Sequence, residues 1–334
     1  MSVKTLLDPQ VKSHFLKLSQ AEVVSHLLTV QDGLTKYSEN PAIVPPRTKV
    51  FTPRGDTMHM FMPVVDDVYC GVKTLGFNAS SGLGFVGAIT VLDPHTGLPR
   101  GVVDAKQVTG IRTALSSHIG LYKVKDKFAD ISKLHVTVFG TGLQAFWHSF
   151  VCAKIFSDKE IQLNVVYRSN KLNDEELLQS CSNVKTVNYV KGNSDQVADL
   201  CNNSHVIFGT LPTTDPSIFK RFFKESTHIS FTYIGLIGSY QPHMHECDVE
   251  LVSLFQEQGA KIIVDSKEHS LLEAGELITP GVEPSELIEI GQLESASDVK
   301  IEASIGSRSI TLSKVVGLAI MDIVSAKKFV EDFE

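Results

Sequence analysis

The sequence LHVTVFGTGLQA at residues 134–145 decides the fold. Its first six residues have the apolar, β-branched character of a buried strand, and an apolar segment of helical length follows it as far as Phe156. The GxGxxA spacing in a strand–turn–helix context is typical of a dinucleotide-binding βαβ unit. Gly140 permits the tight turn, Gly142 lets the backbone approach a pyrophosphate, and Ala145 permits close packing of the helix on the strand.

The helix that follows this turn adds a second reason to expect a phosphate. Its first N–H groups have no partner within the helix, and its N-terminus carries a partial positive charge. We therefore predict that the cofactor is contacted by Gly140, Thr141, Gly142, Leu143, Gln144 and Ala145. The alternative interpretation is a tight βα turn that binds no nucleotide.

The next predicted strand, at residues 161–167, points to the kind of dinucleotide. An NAD site places Asp or Glu after this strand to hold the ribose 2′-hydroxyl, whereas this chain has Tyr167, Arg168 and Ser169. Arginine and a hydroxyl can bind a 2′-phosphate through charge-assisted hydrogen bonds. We predict that these three residues contact the cofactor and that NADP(H) is preferred, with NAD(H) possible. The alternative is that Arg168 is a solvated surface residue.

The pattern of apolar runs differs between the two halves of the chain, which indicates two domains. Residues 47–104 hold short extended runs separated by Gly and Pro, which predicts a mainly antiparallel sheet. Beyond residue 133, short apolar runs alternate with helix-length segments, which predicts a parallel sheet with crossover helices. We also predict helices at 113–122 and 312–330, the second packing on the first domain. The fold class is α/β.

Length and composition limit the functional classes. The 334 residues suggest two domains, and 31 Lys and Arg against 38 Asp and Glu give a net charge of −7. An acidic chain lacks the positive field that nucleic acids or anionic lipids attract. The five cysteines show no disulfide or metal spacing, and no segment has the pattern of a signal peptide or a membrane span. We expect a cytoplasmic protein with no nucleic-acid or membrane partner.

Several segments together resemble the ornithine cyclodeaminase/mu-crystallin family, in order and over nearly the whole chain. They are PPRT at 45–48, MP at 62–63, GVK at 71–73, DAKQVTGIRTA at 104–114, GTGLQA at 140–145, VDS at 264–266, EAGE at 273–276 and TLSKVVGLAIMD at 311–322. The resemblance implies a Rossmann domain inserted in an α+β substrate-binding and dimerisation domain that is built from both chain ends. The expected domains are residues 1–125 with 313–334, and residues 126–312. A homodimer is expected on the same basis.

The resemblance also implies roles for three cations in the first half. Arg47 and Arg112 resemble the pair that holds a substrate carboxylate, a task that suits the planar guanidinium fork. Lys73 matches a lysine beside the reacting carbon, where it binds the carboxylate or assists proton transfer. Thr113 resembles a phosphate-contacting hydroxyl at the start of a helix, or is an ordinary helix cap. Gly317 resembles the position where a loop passes the nicotinamide.

One departure from the family pattern bears on the reaction. Cyclodeaminases of this family carry an Asp in a loop for which the best match here is 237–242, and Tyr240 occupies its position. A phenol cannot replace a carboxylate base near neutral pH. The resemblance then favours the mu-crystallin-like ketimine reductases, NAD(P)-dependent oxidoreductases acting on C=N bonds in amino-acid metabolism. The predicted activity is reduction of pyrroline-2-carboxylate or piperideine-2-carboxylate to L-proline or L-pipecolate.

The resemblance leaves other functions open. Ornithine cyclodeaminase and alanine dehydrogenase belong to the same family, and a non-catalytic NADPH-dependent protein that binds a small ligand belongs to another functional class.

The segment from His243 to Asp248 contains His, Glu and Cys, but no second cluster completes a metal site. We expect a surface loop there and no metal.

Overall fold

The computed structural model describes residues 3–224 and 228–333. Its helices are α1 Asp8–Lys17, α2 Gln20–Glu39, α3 Ala105–Lys123, α4 Leu143–Ile155, α5 Glu175–Ser180, α6 Gln196–Asn202, α7 Val249–Glu257, α8 Lys267–Glu273, α9 Gly275–Ile278 and α10 Ala319–Asp332. Its strands are β1 Lys4–Leu6, β2 Thr48–Phe51, β3 Met58–Val65, β4 Cys70–Phe77, β5 Phe85–Leu92, β6 Pro99–Asp104, β7 Lys133–Phe139, β8 Glu160–Tyr167, β9 Val184–Lys191, β10 Val206–Gly209, β11 Phe231–Leu236, β12 Ile262–Val264, β13 Leu287–Glu289, β14 Ala303–Ile305 and β15 Arg308–Lys314.

The chain forms two compact units. The first unit is Met1–Thr113 with Gly317–Glu334, and the second unit is Ala114–Val316. The second unit is therefore inserted in the first along the sequence. The domain boundaries predicted at 125/126 and 312/313 stay a prediction.

The first unit is built on one sheet. Within the described part of the chain this sheet has six strands in the order β1-β6-β5-β4-β3-β2, antiparallel except where β1 joins β6. Helix α10 packs on strands β3 to β6 and against α2. Gly33 permits this helix contact, because a Cβ there would lie 2.7 Å from Val324. The predicted antiparallel sheet is confirmed.

The second unit has the parallel sheet that the crossover pattern predicts. Among the described residues it has nine strands, with β13-β12-β15-β11-β10-β7-β8-β9 in parallel and β14 antiparallel to β15. Strand β15 lies between β11 and β12, where buried β-branched residues such as Thr311 suit the interior of a sheet. The prediction of one helix over 312–330 is therefore wrong at its start.

Helix α3 begins earlier than the sequence predicts. It starts at Ala105 rather than at Thr113, so Arg112 and Thr113 lie within the helix. Its first turn is completed by a distant residue, since the amide of Gln107 donates to Asp8 Oδ1 at 2.8 Å. Asp104, directly before the helix, is a residue type typical of an N-cap, and its carboxylate accepts from the amide of Asp8 at 3.0 Å.

Within the described ranges, no helix is both long enough and apolar enough to cross a lipid bilayer.

Candidate active site

The turn between β7 and α4 has the backbone geometry of a phosphate-binding turn. Gly140 has φ +121°, and its amide donates to the Val166 carbonyl at 2.9 Å. A Cβ on Gly140 would lie 2.5 Å from Thr210 Oγ1, so only glycine fits. Gly142 is the N-cap of α4, and no heavy atom lies within 4 Å of where its Cβ would be. The turn therefore offers open space beside the unpaired N–H groups of a helix.

The other predicted residues of this turn belong to the first turn of α4 or precede it. Thr141, Leu143 and Gln144 are half-buried, and Ala145 is fully buried, as close helix–strand packing requires. The Gln144 side-chain oxygen is buried without a hydrogen-bond partner. The open turn and the helix N–H groups fit a dinucleotide pyrophosphate, whereas the Gln144 oxygen, an acceptor, could bind only a donor group.

A cavity of about 770 Å³ lies in the second unit beside the end of β8. Tyr167 and Arg168 line it together with residues that follow β9 and β10. The Arg168 Nη2 atom donates a hydrogen bond to Thr213 Oγ1 at 3.1 Å, and Thr213 is buried. Ser169 is exposed directly after Arg168. The cavity is of a size that suits a nucleoside.

The first unit contains a buried group of opposite charges. The Lys73 Nζ atom on β4 lies 2.8 Å from Asp322 Oδ1 on α10 and 2.8 Å from Thr109 Oγ1 on α3. Arg112 Nε lies 2.9 Å from the same Asp322 oxygen. Lys73 is 1% exposed and Asp322 is fully buried. Two cations therefore share one carboxylate oxygen in the interior.

The surroundings change the acidity of Lys73. Burial lowers its pKa to about 8, because the charged form loses hydration. The carboxylate of Asp322 raises the pKa and the guanidinium of Arg112 lowers it. An ammonium that titrates near neutral pH can serve as a proton donor.

Arg112 is held against the loop that leads into α10. Its guanidinium nitrogens lie 3.0 and 3.2 Å from the position that a Cβ on Gly317 would occupy. Gly317 has φ +99°, which favours glycine in any case. Gly317 and buried Thr113 thus lie in the first unit, Thr113 on the helix that carries Arg112 and Gly317 in the loop before the helix that carries Asp322.

Strand register relates Arg47 to Lys73. Thr48 pairs with Phe61, and Met62 pairs with Lys73. Arg47 precedes Thr48, so one further step of the β2–β3 register sets it opposite Met62. Residues directly opposite in antiparallel strands share a face. Arg47 and Lys73 are therefore expected on one face, two strands apart, about 10 Å between Cα atoms.

Burial also affects Arg47. It is half-buried, and this loss of hydration lowers its guanidinium pKa. The charge of an arginine is nevertheless retained at neutral pH.

Asp322 and Thr109 are site residues that the sequence reasoning missed. Asp322 did carry a signal, because it is a single acid in the apolar run AIMDIVSA at 319–326. A charge on the buried face of a helix needs a partner. Thr109 has no such signal, since a threonine is ordinary in any helix.

The predicted surface loop at 243–248 is wrong for its last part. Glu246 and Cys247 are buried, and Glu246 accepts hydrogen bonds from the amides of Gly238 at 2.5 Å and Leu211 at 3.1 Å. Its carboxylate also lies 3.7 Å from buried Lys314 Nζ. Lys314 in turn lies 3.0 Å from buried Glu276 and is hydrogen-bonded to Ser239. Glu246 is therefore buried because Lys314, which lies outside the loop, and the two amides compensate its charge.

This buried network raises the pKa of Glu246 to about 7. Burial is the main cause, Lys314 opposes it and Glu276 adds to it. Glu246 is 1% exposed and bound to backbone amides, so it supports the loop from inside. Tyr240 in the same loop is 44% exposed.

One group of His and Asp side chains in the first unit has the spacing of metal ligands. His14, His26 and Asp332 bring their ligand atoms within 4.8 Å of one another. Both histidine Nε2 atoms contact the same Asp332 oxygen, at 3.3 and 2.8 Å, and Lys328 binds the other oxygen. The carboxylate already has three donors, including a cation, so the group is a hydrogen-bonded cluster.

Comparison with known proteins places this geometry in context. The chain is 38% identical to an uncharacterised protein of Saccharomyces cerevisiae over 98% of this chain and 97% of that protein. It is 25% identical to the ketimine reductase mu-crystallin of Rattus norvegicus over 72% of this chain and 67% of that protein.

A solved structure shows the same fold. The Thermococcus litoralis Δ1-pyrroline-2-carboxylate reductase, in complex with NADH and L-proline, has a TM-score of 0.72 and 20% identity over 98% of this chain and 97% of that chain. The predicted fold, a Rossmann domain inserted in an α+β domain, is confirmed. Residues 11–334 match the model of the ornithine cyclodeaminase/mu-crystallin family, and the chain belongs to that family.

Proposed function

We propose that the protein is an NAD(P)H-dependent reductase of small cyclic imino acids, giving L-proline- or L-pipecolate-like products. The observation that carries the proposal is the buried Lys73–Arg112–Asp322 group, in a chain that also has a dinucleotide-binding turn. An imino acid presents a carboxylate to the two arginines and a C=N bond that needs a hydride and a proton. The names of the rat and Thermococcus litoralis relatives support this substrate class.

Each residue of the group has a role in this proposal. Arg112 and Arg47 hold the substrate carboxylate, and Asp322 fixes the Arg112 guanidinium through its Nε. The dinucleotide supplies the hydride when it is bound at 140–145. Lys73 gives the proton to the imine nitrogen, which balances the reaction. Holding both partners in place contributes roughly 7–11 kcal/mol to lowering the barrier.

Deamination is disfavoured by the side chain at position 240. Release of ammonia needs a base for water, and exposed Tyr240 is not a carboxylate. The carboxylate nearest to it in sequence, Glu246, is buried and bonded to amides. The loop therefore offers the substrate no base at these two positions.

The decisive experiment measures loss of NADPH absorbance with pyrroline-2-carboxylate and piperideine-2-carboxylate. The wild-type chain is expected to turn over at least one of them, and Lys73→Met to lose about 10²-fold or more in kcat. Consumption of ornithine with release of ammonia, or of alanine with NAD(P)⁺, without imine reduction would replace the proposal by the corresponding family activity. Ligand binding without any turnover would support a crystallin-like role.

The pH profile tests the role of Lys73 separately. Below about 8 the ammonium is present, and above it the donor is lost. kcat/KM is therefore expected to fall about tenfold per pH unit above that value. A flat profile to pH 10 would remove Lys73 as the proton donor.

NADP(H) preference is the proposed cofactor choice. Its support is Arg168, which lines the cavity and is fixed by Thr213. Arg168→Ala should raise the KM for NADPH while leaving that for NADH nearly unchanged. Equal effects on both KM values would contradict this choice.

We infer a homodimer through the sheet of the first unit. Register puts Val50, Phe61, Val65 and Val86 on the face opposite Lys73, and each is more than 40% exposed. Such an apolar face suits a second copy of the chain.

Light scattering should give twice the mass of the chain, and Phe61→Asp should halve the measured mass. Leu178→Asp, at an exposed apolar residue of the second unit, is the matched control.

A further inference from the structure

The cavity beside β8 has a second cation at its rim besides Arg168. Lys191 is the last residue of β9 and lines the same cavity of about 770 Å³. We propose that Lys191 binds the 2′-phosphate of NADP(H) together with Arg168, and so helps to set the choice between NADP(H) and NAD(H). This inference rests on the nucleotide site of the proposed function.

Strand register sets Lys191 close to Arg168. Lys191 pairs with Tyr167 in the parallel β8–β9 ladder, and the amide of Gly192 donates to the Tyr167 carbonyl at 2.9 Å. Neighbouring strands lie about 4.8 Å apart, so Lys191 is beside the residue that precedes Arg168. Arg168 and Lys191 both lie at the carboxyl edge of the sheet and line the same cavity, and ligands of parallel sheets bind at this edge.

The charge of the ligand explains the need for two cations. A phosphate monoester carries about −1.5 to −2 charges at neutral pH. Arg168 supplies one positive charge and has already used one N–H donor on Thr213. The ammonium of Lys191 supplies a second charge and three rotatable donors. Together they match the charge of a phosphate monoester, whereas a ribose 2′-hydroxyl needs neither.

The third cation that lines the cavity, Arg221, stacks on aromatic rings. The Arg221 guanidinium lies 3.9 Å from the centre of the Phe219 ring and 5.5 Å from that of Phe222. This stacking assigns Arg221 to the aromatic wall, where a base could pack. The cavity also contains Asp195 and Asp215, which would repel a phosphate. Asp215 lies near Arg168, since Thr213 accepts from Arg168 and donates to the Asp215 carbonyl at 2.9 Å. A phosphate in this cavity therefore needs both Arg168 and Lys191 to offset the acids.

The test compares the binding of 2′,5′-ADP and 5′-ADP to the full-length protein by calorimetry. Lys191→Met should weaken 2′,5′-ADP by about tenfold or more and 5′-ADP by less than about twofold. Lys185→Met removes the same charge from the other end of β9 and should change neither affinity. Arg221→Ala should weaken both nucleotides by similar factors, whereas loss of a contact to the 2′-phosphate would weaken 2′,5′-ADP alone.

Each outcome decides the proposal. Equal weakening of both nucleotides by Lys191→Met, or no weakening, overturns the role of Lys191 while the nucleotide site stands. Failure of the wild-type protein to bind either nucleotide overturns the site and the inference together. A selective loss of 2′,5′-ADP in a protein that reduces no imine supports Lys191 and counts only against the proposed reaction.

Discussion

Two cations and one carboxylate share the interior of the first unit, and the carboxylate belongs to Asp322. Burying a charge costs several kcal/mol unless a partner compensates it. Lys73 and Arg112 both contact Asp322 Oδ1, while Asp322 Oδ2 is buried without a hydrogen-bond partner. The group thus keeps one net positive charge when all three side chains are ionised, and an incoming carboxylate would neutralise it.

Asp322→Asn should destabilise the protein. The substitution leaves two cations buried without an anion, which costs about 3–5 kcal/mol of unfolding free energy in comparable cases. Urea denaturation measures this change. Asp67→Asn removes the same charge at an exposed position of the same unit and should cost less than about 0.5 kcal/mol. If the urea midpoint of Asp322→Asn equals that of wild type, Asp322 does not stabilise the protein through Lys73 and Arg112.

At the scale of elements, the loop between β15 and α10 determines how Arg112 is held. Gly317 in this loop has a positive φ and faces the Arg112 guanidinium. A methyl group there meets both a strained backbone and two guanidinium nitrogens. The loop thus has steric reasons to keep glycine that are independent of each other.

Gly317→Ala should lower stability by at least about 1 kcal/mol and raise the KM for the imino acid. The KM rises because Arg112 must move away from the new Cβ. Gly97→Ala is the matched control, since Gly97 has φ +71° and open space around it. It should lose similar stability with no change in KM. Equal KM values in both variants would show that Arg112 tolerates displacement.

The sequence predicts local elements well and long-range ones less well. The β7–turn–α4 unit follows from residues 134–145 because strand, glycines and helix are contiguous. Strand β15 does not, because its identity depends on the neighbours β11 and β12. The start of α3 depends on Asp8, nearly one hundred residues away in sequence. The Lys73–Asp322 contact spans 249 residues, a separation at which neither residue signals the other.

At the scale of the whole molecule, buried neutral histidines link stability to pH. Burial lowers the pKa of His148 and of His205 to about 4. The amide of His135 donates to His205 Nδ1 at 3.0 Å, which requires an unprotonated nitrogen. The unfolded chain binds protons near pH 6.5, so stability is present above that value and is lost as the pH falls toward 4.

His205→Asn should make the protein less sensitive to acid. For one such histidine, the free energy of unfolding falls by about 2 kcal/mol between pH 7.5 and pH 5. Asparagine keeps a hydrogen-bond acceptor at this position but does not titrate. Urea unfolding at the two pH values should show a loss smaller by about this amount in the variant. His95→Asn, at an exposed position, should lose as much as wild type. A full loss in His205→Asn would assign the acid sensitivity to other groups.

The inserted arrangement of the two units has a consequence during synthesis on the ribosome. Lys73 emerges 249 residues before Asp322, its anionic partner. At about 5–20 residues per second, the nascent first unit waits roughly 12–50 seconds with its inner cations uncompensated and its sheet uncovered by the last helix. Translation must therefore pass Asp322 before this unit can close, and a ribosome that stops earlier releases a chain whose sheet is a target for chaperones.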